Sequence, residues 1–303
     1  MRTLEYLTDP SLRELYWPGV TASLLIALMT GPLSVLVVLR RLAFVGHGVS
    51  HAAFGGVGLG LLIGVGLGIP LSGGGGLWLD AFVLAFALAT AWLIARLTRR
   101  GMAEFDTAIG VVLATCMALG FVLHGIAGER AAAQGRAGVP GLETVLFGGV
   151  LHIGWPTAAL AAGSTALTLA AMVALHRPLI FWAFDEAVAV VHGVRTEAIR
   201  SVALVLLAVV VIAVVKLAGV VLATAMLVMP GAIALNVMRR FGGRSLGLAV
   251  AYSTSAAMLG AIGGLLVSFE SPAVGLDLPV GPSVVGVLAV GYGLSRFAAP
   301  ARG

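Results

Sequence analysis

Long apolar runs with few charged residues set the strongest limit on how this chain folds. A helix needs about 20 residues to cross a hydrocarbon core about 30 Å thick. The sequence contains nine runs close to that length, at residues 18–39, 47–70, 77–98, 105–127, 156–176, 198–216, 218–238, 246–268 and 281–297. The sixth and seventh are separated only by residues 216–219, so they also fit one long broken segment. We therefore expect an all-α, polytopic transmembrane helical bundle with eight or nine spans.

Composition excludes a soluble domain. Hydrophobic residues make up 60% of the 303 residues and charged residues only 10%, whereas soluble domains carry about 25% charged residues. The single cysteine, Cys116, has no partner in the chain, which excludes an intrachain disulfide and a cysteine-rich metal site. The formal net charge of +5 comes from arginines near the ends of the apolar runs, where they act as topology signals. We expect contact with membrane lipid and none with nucleic acid.

Basic residues fall in alternate connections of the nine-span arrangement. These connections carry Arg40, Arg41, Arg96, Arg99, Arg100, Arg177, Arg195, Arg200, Arg239, Arg240, Arg244 and, at the end, Arg296. The positive-inside rule makes those connections cytoplasmic, with the N-terminus outside and the C-terminus inside. The whole chain, residues 1–303, is predicted to form a single transmembrane domain with a cytoplasmic segment at about residues 177–197.

A stripe of small residues follows the second run at intervals of four. Its members are Gly48, Ala52, Gly56, Gly60, Gly64 and Gly68. Small residues at this spacing let helix backbones approach closely in lipid. We assign Gly56, Gly60, Gly64 and Gly68, together with Pro230 in the seventh run, to helix packing. The stripe predicts that this helix is buried inside the bundle.

Two histidines stand beside the stripe at the start of the same run. His47 and His51 are four residues apart, so on a helix they lie one turn apart on one face. If the helix enters the membrane after Arg41, they lie about 9 Å and about 15 Å along it, within the bilayer. Such a pair predicts a metal site, whereas a lone histidine would more often bond a neighbouring helix. Two nitrogens are too few for a closed zinc site, so other helices, a second subunit or water must complete the shell.

Further ligands are expected on the outer side of the membrane. His124 lies near the outer end of the fourth run, and His152 follows a short turn after the connection that contains Glu143. His124, His152 and Glu143 are candidate additional ligands, although isolated interfacial histidines usually have structural roles. His176 and His192 fall in a cytoplasmic connection, where we expect solvent or partner contacts.

The connection between Arg177 and Arg200 is too polar to span and too long for a simple turn. Its apolar side is formed by Phe181, Trp182, Phe184, Val188 and Val191. The pattern predicts a short helix at the cytoplasmic surface. Composition alone leaves two roles open, an interfacial helix without a partner and a docking element.

The residues from Arg40 to Ala52, read together with the glycine-rich helix that follows, resemble a family signature. The zinc/manganese family of ABC importer permeases typically reads R-R-x-A-x-x-G-D-x-L-S-H-A at this point. Weaker matches follow in order at residues 106–110, 142–148, 184–194, 219–230 and 277–281. The resemblance covers almost the whole chain.

This resemblance implies an ABC importer permease in the cytoplasmic membrane of a prokaryote. It implies a homodimer, cytoplasmic ATP-binding subunits and an extracytoplasmic metal-binding protein as partners, and no permanently bound cofactor besides the transported metal ion. Residues 177–197 become the coupling segment, with Phe184, Asp185, Glu186 and Gly193 at the ATPase contact. Here Glu186 takes the position of the family's usual proline.

The other departure is His47, where the family usually has aspartate. Imidazole suits zinc, copper, iron and nickel better than manganese. The sequence therefore predicts an ATP-driven importer permease for a divalent transition metal, zinc first. Manganese or iron remains an alternative in the same importer class.

Rival functions lack their own signatures. A phosphate-binding loop of the form G-x-x-x-x-G-K-[ST] needs a lysine, but the single lysine, Lys216, lies in Val-Val-Lys-Leu-Ala-Gly. We therefore expect ATP hydrolysis on a separate subunit, and we do not expect this chain to be an enzyme. A proton-coupled secondary metal transporter usually carries carboxylates deep in its spans, but Asp80, Glu104 and Asp106 fall at span ends. A zinc metalloprotease would need a glutamate between the paired histidines.

Overall fold

The structure, a computed structural model, describes residues 9–69, 76–99, 105–136, 138–142, 148–241 and 245–297. Within these ranges there are ten α-helices, two 3-10 turns and no β-strand. The helices are α1 (Pro10–Leu39), α2 (Ala43–Gly66), α3 (Gly76–Arg99), α4 (Phe105–Ala133), α5 (Trp155–Ala174), α6 (His176–Phe184), α7 (Glu186–Val191), α8 (Thr196–Phe241), α9 (Leu246–Glu270) and α10 (Val280–Phe297). The 3-10 turns are Val150–His152 and Ser271–Val274.

Seven of these helices are long and apolar enough to cross a membrane: α1, α2, α4, α5, α8, α9 and α10. Helix α3 contains a shorter apolar stretch, Phe82–Ile94. The predicted all-α, polytopic fold class is thereby confirmed, whereas seven candidate spans do not confirm the predicted number of eight or nine.

Helix α8 is broken at a glycine. Its 46 residues would extend about 69 Å if straight, more than twice the thickness of a hydrocarbon core of about 30 Å. At Gly219 the backbone has φ 84° and ψ 167°, a conformation that essentially only glycine adopts. The break falls in the short boundary between the sixth and seventh apolar runs.

The described residues group into two compact units. The large unit comprises residues 1–43 and 147–303, and the small unit comprises residues 44–146. The single transmembrane domain expected from the sequence stays a prediction.

In the large unit, α1 packs most extensively against α8 and α9. Two serines join these helices through backbone groups. Ser34 Oγ accepts the N–H of Gly231 at 2.8 Å, and Ser253 Oγ donates to the carbonyl of Gly31 at 2.6 Å. Pro230 directly precedes Gly231 and itself lacks an N–H, so it interrupts the hydrogen bonds of α8 at this contact. Serine hydroxyls thus form hydrogen bonds with backbone groups in a bundle where lipid supplies no water to do so.

In the small unit, α2 and α4 approach at three glycines of α2. A Cβ added at any of them would lie within 3 Å of an atom of α4, and the pairs are Gly48 with Ile109, Gly55 with Cys116 and Gly58 with Gly120. Partner numbers increase together, so α2 and α4 run parallel. The first pair meets a side chain, while the other two meet backbone carbonyl oxygens.

Two glycines of the predicted stripe face α3 instead. A Cβ on Gly56 would lie 3.1 Å from Phe86 Cβ, and a Cβ on Gly60 would overlap the Leu79 side chain. Gly64 is buried as well. Glycines on two sides of α2 therefore let one helix pack closely against two neighbours.

Gly68 does not pack as the stripe predicted. It lies beyond the end of α2, is exposed and has φ 73°. The N–H of Ile69 donates to the carbonyl of Gly64 at 2.9 Å, which is the pairing of a glycine C-cap. The Arg136 guanidinium also donates to the Gly68 carbonyl. The four-residue spacing of the stripe therefore extends beyond the end of α2, and Gly68 terminates the helix instead of packing against a neighbour.

Gly58→Ala should destabilise the protein although alanine favours helices over glycine by about 1 kcal/mol. The new methyl would meet the Gly120 carbonyl oxygen, and overpacking of this kind costs about 1–3 kcal/mol. Thermal unfolding of the purified protein in detergent, followed by tryptophan fluorescence, measures the effect. Gly125→Ala in α4 is the control, because its methyl would have no neighbour within 4 Å. A Gly58 variant as stable as the Gly125 variant would contradict the close approach.

Candidate metal site

The structure brings the two predicted histidines together near the start of α2. The ring centroids of His47 and His51 are 4.3 Å apart and the rings are inclined by 74°. Both side chains are half-buried. Ser50 Oγ donates to the backbone carbonyl of His47 at 2.9 Å and so does not occupy an imidazole nitrogen. Two imidazoles thus share one helix face in an apolar candidate span.

The surroundings of the pair are apolar. Val45, Val49 and Ala52 of the same helix are each at most 2% exposed. Gly48, between the two histidines, lies against Ile109 of α4. A metal ion at this position would lose its hydration shell and gain only a few fixed donors, because the neighbouring side chains are apolar.

One further potential ligand was missed by the sequence reasoning. Met117 of α4 places its Sδ 3.1 Å from His51 Nδ1, and its side chain is half-buried. Its thioether belongs to a different helix, 66 residues along the chain. No spacing rule within one helix could connect the two residues, so the signal lies only in the packing of α2 on α4.

Of the other predicted ligands, the structure describes the side chain of His124, and it is not brought to the pair. His124 Nε2 lies 2.8 Å from the carbonyl oxygen of Pro140, so this imidazole holds the 138–142 segment instead. Glu143 lies outside the described residues, as does the side chain of His152. Within the part of the chain that the structure describes, no three His, Cys, Asp or Glu side chains come close enough to hold a metal ion.

A second candidate surface is the predicted coupling segment, residues 177–197, which contains nearly all of α6, all of α7 and the first residues of α8. Asp185 lies between these helices and caps α7, where one carboxylate oxygen accepts the N–H groups of Ala187 and Val188 at 2.8 and 3.1 Å. Gly193 ends α7 with φ 74°. These two residues, predicted as ATPase contacts, fix the shape of the segment.

Glu186 also acts inside the protein. Its carboxylate forms ion pairs with Arg40 and with Arg200, the latter at 3.3 Å. The Arg40 guanidinium lies 4.4 Å from the ring centroid of Trp182, which is only 1% exposed. Arg40 follows α1, so this cluster of charge and aromatic contacts ties the end of α1 to α6, α7 and the start of α8.

The outward face of the coupling segment is apolar. Phe184 is 59% exposed and Val191 is 82% exposed, and Val188 and Val190 are exposed beside them. Phe181 stacks on the His192 ring with centroids 5.1 Å apart. His176 Nδ1 lies 2.8 Å from the carbonyl oxygen of Val173, and His192 Nδ1 lies 2.9 Å from the carbonyl oxygen of Val188. Of the four predicted contact residues, Phe184 belongs to this exposed apolar set, and Asp185 and Gly193 are exposed as well.

The match to known proteins extends over nearly the whole chain. A family model described as the ABC 3 transport family matches residues 13–298. The chain belongs to the ABC 3 transport family. The predicted recognition as a membrane permease of zinc/manganese ABC importers is thereby confirmed, as is the predicted multi-pass location in a prokaryotic cytoplasmic membrane.

Individual members of the family carry different metal names. This ABC 3 chain is 28% identical over 284 residues to the high-affinity zinc uptake system membrane protein ZnuB of Haemophilus influenzae, covering 94% of this chain and 97% of ZnuB. It is also 28% identical to the manganese transport system membrane protein MntC of Halalkalibacterium halodurans, covering 100% of this chain and 94% of MntC.

A solved structure shares the fold. The chain matches PsaBC from Streptococcus pneumoniae in complex with Fab with a TM-score of 0.77, covering 98% of this chain and 95% of that chain. At 22% identity this likeness shows the fold alone.

His47→Ala and His51→Ala should each reduce zinc uptake by about tenfold or more, because each removes one of two imidazole donors. The measurement is uptake of radioactive zinc by cells that express the variant with its importer partners at normal membrane levels. His176→Ala is the matched control, since its ring lies against a carbonyl at the end of α5. Full zinc uptake by the His47→Ala, His51→Ala double variant would contradict the metal-ligand role and leave helix packing as the role of the pair.

Proposed function

We propose that this ABC 3 permease is the membrane subunit of an ATP-driven importer that moves a divalent transition metal, zinc first, across the cytoplasmic membrane. The observation that carries the proposal is the pair His47 and His51, whose rings lie edge to face with centroids 4.3 Å apart on an apolar helix of a metal-importer family member. An intramembrane pair of ionisable side chains is expensive to bury, so it indicates a cargo pathway.

The choice of zinc rests on the donor atoms. Related permeases carry zinc and manganese in their names, so family membership leaves the metal open. Imidazole nitrogen favours zinc, copper, iron and nickel, whereas manganese prefers carboxylate oxygen. Iron has the same preference for imidazole and is the nearest alternative cargo.

The proposed partners are a second copy of the chain, cytoplasmic ATP-binding subunits and an extracytoplasmic metal-binding protein. The exposed apolar face around Phe184 and Val191 supports an ATPase contact, because an exposed apolar patch at the cytoplasmic end of a permease marks an interaction site. The ion pairs of Glu186 with Arg40 and Arg200 connect the segment that carries that face to the end of α1 and the start of α8.

We favour nine spans over eight. Because α2 and α4 run parallel, the chain between them must return across the membrane, and α3 is the helix available for the return. The break at Gly219 divides α8 into two segments, each long enough for a crossing. Nine crossings put the basic residues of alternate connections in the cytoplasm.

Reconstitution into liposomes tests the proposed function. The purified chain alone should neither hydrolyse ATP nor accumulate zinc, because its single lysine does not lie in a phosphate-binding loop. Added with its ATP-binding subunits and ATP, it should accumulate zinc. Zinc accumulation by the chain alone, driven by a proton gradient without nucleotide, would contradict the proposal.

Phe184→Ser and Val191→Ser should each weaken copurification of the ATP-binding subunits by about tenfold, since exposed apolar anchors dominate such contacts. Uptake-linked ATP hydrolysis should fall with it. Val274→Ser is the control, because Val274 is also exposed but lies in the connection between α9 and α10, predicted to face outward. Equal copurification by all three variants would move the docking surface elsewhere.

A further inference from the structure

The contact between His51 and Met117 has an orientation that packing alone does not require. Methionine sulfur commonly lies near the edge of an aromatic ring at about 5 Å. Here Sδ is 3.1 Å from the ring nitrogen Nδ1 itself. With the proton on Nδ1 the contact is an N–H···S hydrogen bond, and in the other neutral tautomer Nδ1 carries a lone pair, so that this nitrogen and the sulfur can both bind a transition metal.

The position of Met117 is fixed by the backbone on both sides of it. The carbonyl of Cys116 lies against Gly55, and the carbonyl of Gly120 lies against Gly58. Long side chains on a helix lean toward its N-terminus. Met117 therefore reaches back along α4 toward His51, one turn before Gly55 on α2.

The separation of the two donor atoms suits a shared ion after a small adjustment. Bond lengths of about 2.0–2.1 Å to imidazole nitrogen and about 2.3 Å to a thiolate sulfur, the lower bound for a thioether, separate two ligand atoms at tetrahedral angles by about 3.6 Å. Sδ and Nδ1 would need to move apart by about 0.5 Å from the observed 3.1 Å. Methionine has three rotatable side-chain bonds and can make that adjustment without movement of α4.

We propose that Met117 is a third ligand of the transported ion and a determinant of metal specificity, together with His47 and His51. This inference rests on the proposed function of the histidine pair. Two imidazoles and a thioether form a donor set that favours zinc or Cu(I) and disfavours manganese, which prefers oxygen ligands. The set leaves a fourth position open for water or an incoming donor, as an exchangeable site requires.

Met117→Leu tests the sulfur with little change in volume. In cells that express the complete importer, the ratio of manganese to zinc needed to halve zinc uptake should fall about tenfold. Met226→Leu is the matched control, because Met226 is 1% exposed in the core of the large unit. An unchanged ratio in Met117→Leu, with zinc uptake still lost in His51→Ala, would overturn the role of Met117 and leave the proposed function standing.

X-ray absorption at the zinc edge provides a readout that does not depend on transport. The purified chain loaded with zinc should show one sulfur neighbour in the first coordination shell, at a distance longer than the ~2.3 Å of a thiolate. Met117→Leu should lose that sulfur, whereas Cys116→Ser should keep it, since Cys116 is the adjacent alternative. A zinc spectrum with nitrogen neighbours and no sulfur in the wild type would reduce the contact to packing of sulfur on the ring. Failure of zinc uptake with the ATP-binding subunits present would reject the proposed function separately.

Discussion

The close approach of α2 and α4 at glycine residues is the contact on which the candidate site depends. Helices in lipid gain no hydrophobic advantage from association, so they rely on van der Waals contact between backbones. Gly55 and Gly58 bring α2 against the carbonyls of Cys116 and Gly120. A larger side chain at either glycine would separate the helices and carry Met117 away from His51. The same residues therefore set the packing of the two helices and the geometry of the proposed ligands.

The coupling segment shows how charged residues can be used for shape. Asp185 caps α7, and Glu186 holds Arg40 and Arg200. These contacts lie within the protein, and beside them the exposed side chains of Phe184, Val188, Val190 and Val191 form an apolar patch. An uncapped or unpaired carboxylate here would have to be desolvated when a partner binds, which weakens association. Internal pairing removes that penalty for the proposed ATPase contact through Phe184 and Val191.

The fold class was predictable because a span of about 20 apolar residues is required by bilayer thickness, whatever the neighbours. The histidine pair was predictable because four residues return to the same helix face. Met117 was not, since its position depends on the register of α4 on α2. The period that predicted the stripe also failed at Gly68, because a repeat in sequence does not show where the helix ends. Local periodicity thus gave elements and single faces, and the packed structure was needed for contacts between helices.

The donors of the proposed site are electrically neutral. In the described part of the chain no Asp or Glu joins the histidine pair within reach of a shared ion. A divalent ion entering this site would keep its charge uncompensated in apolar surroundings, where burial of a charge is costly. Such a site holds its ion less tightly than one with a carboxylate ligand. Transport needs that balance, because an ion must enter the site and still leave it on the other side. A neutral donor set thus supplies selectivity, and the energy for accumulation must come from outside the site.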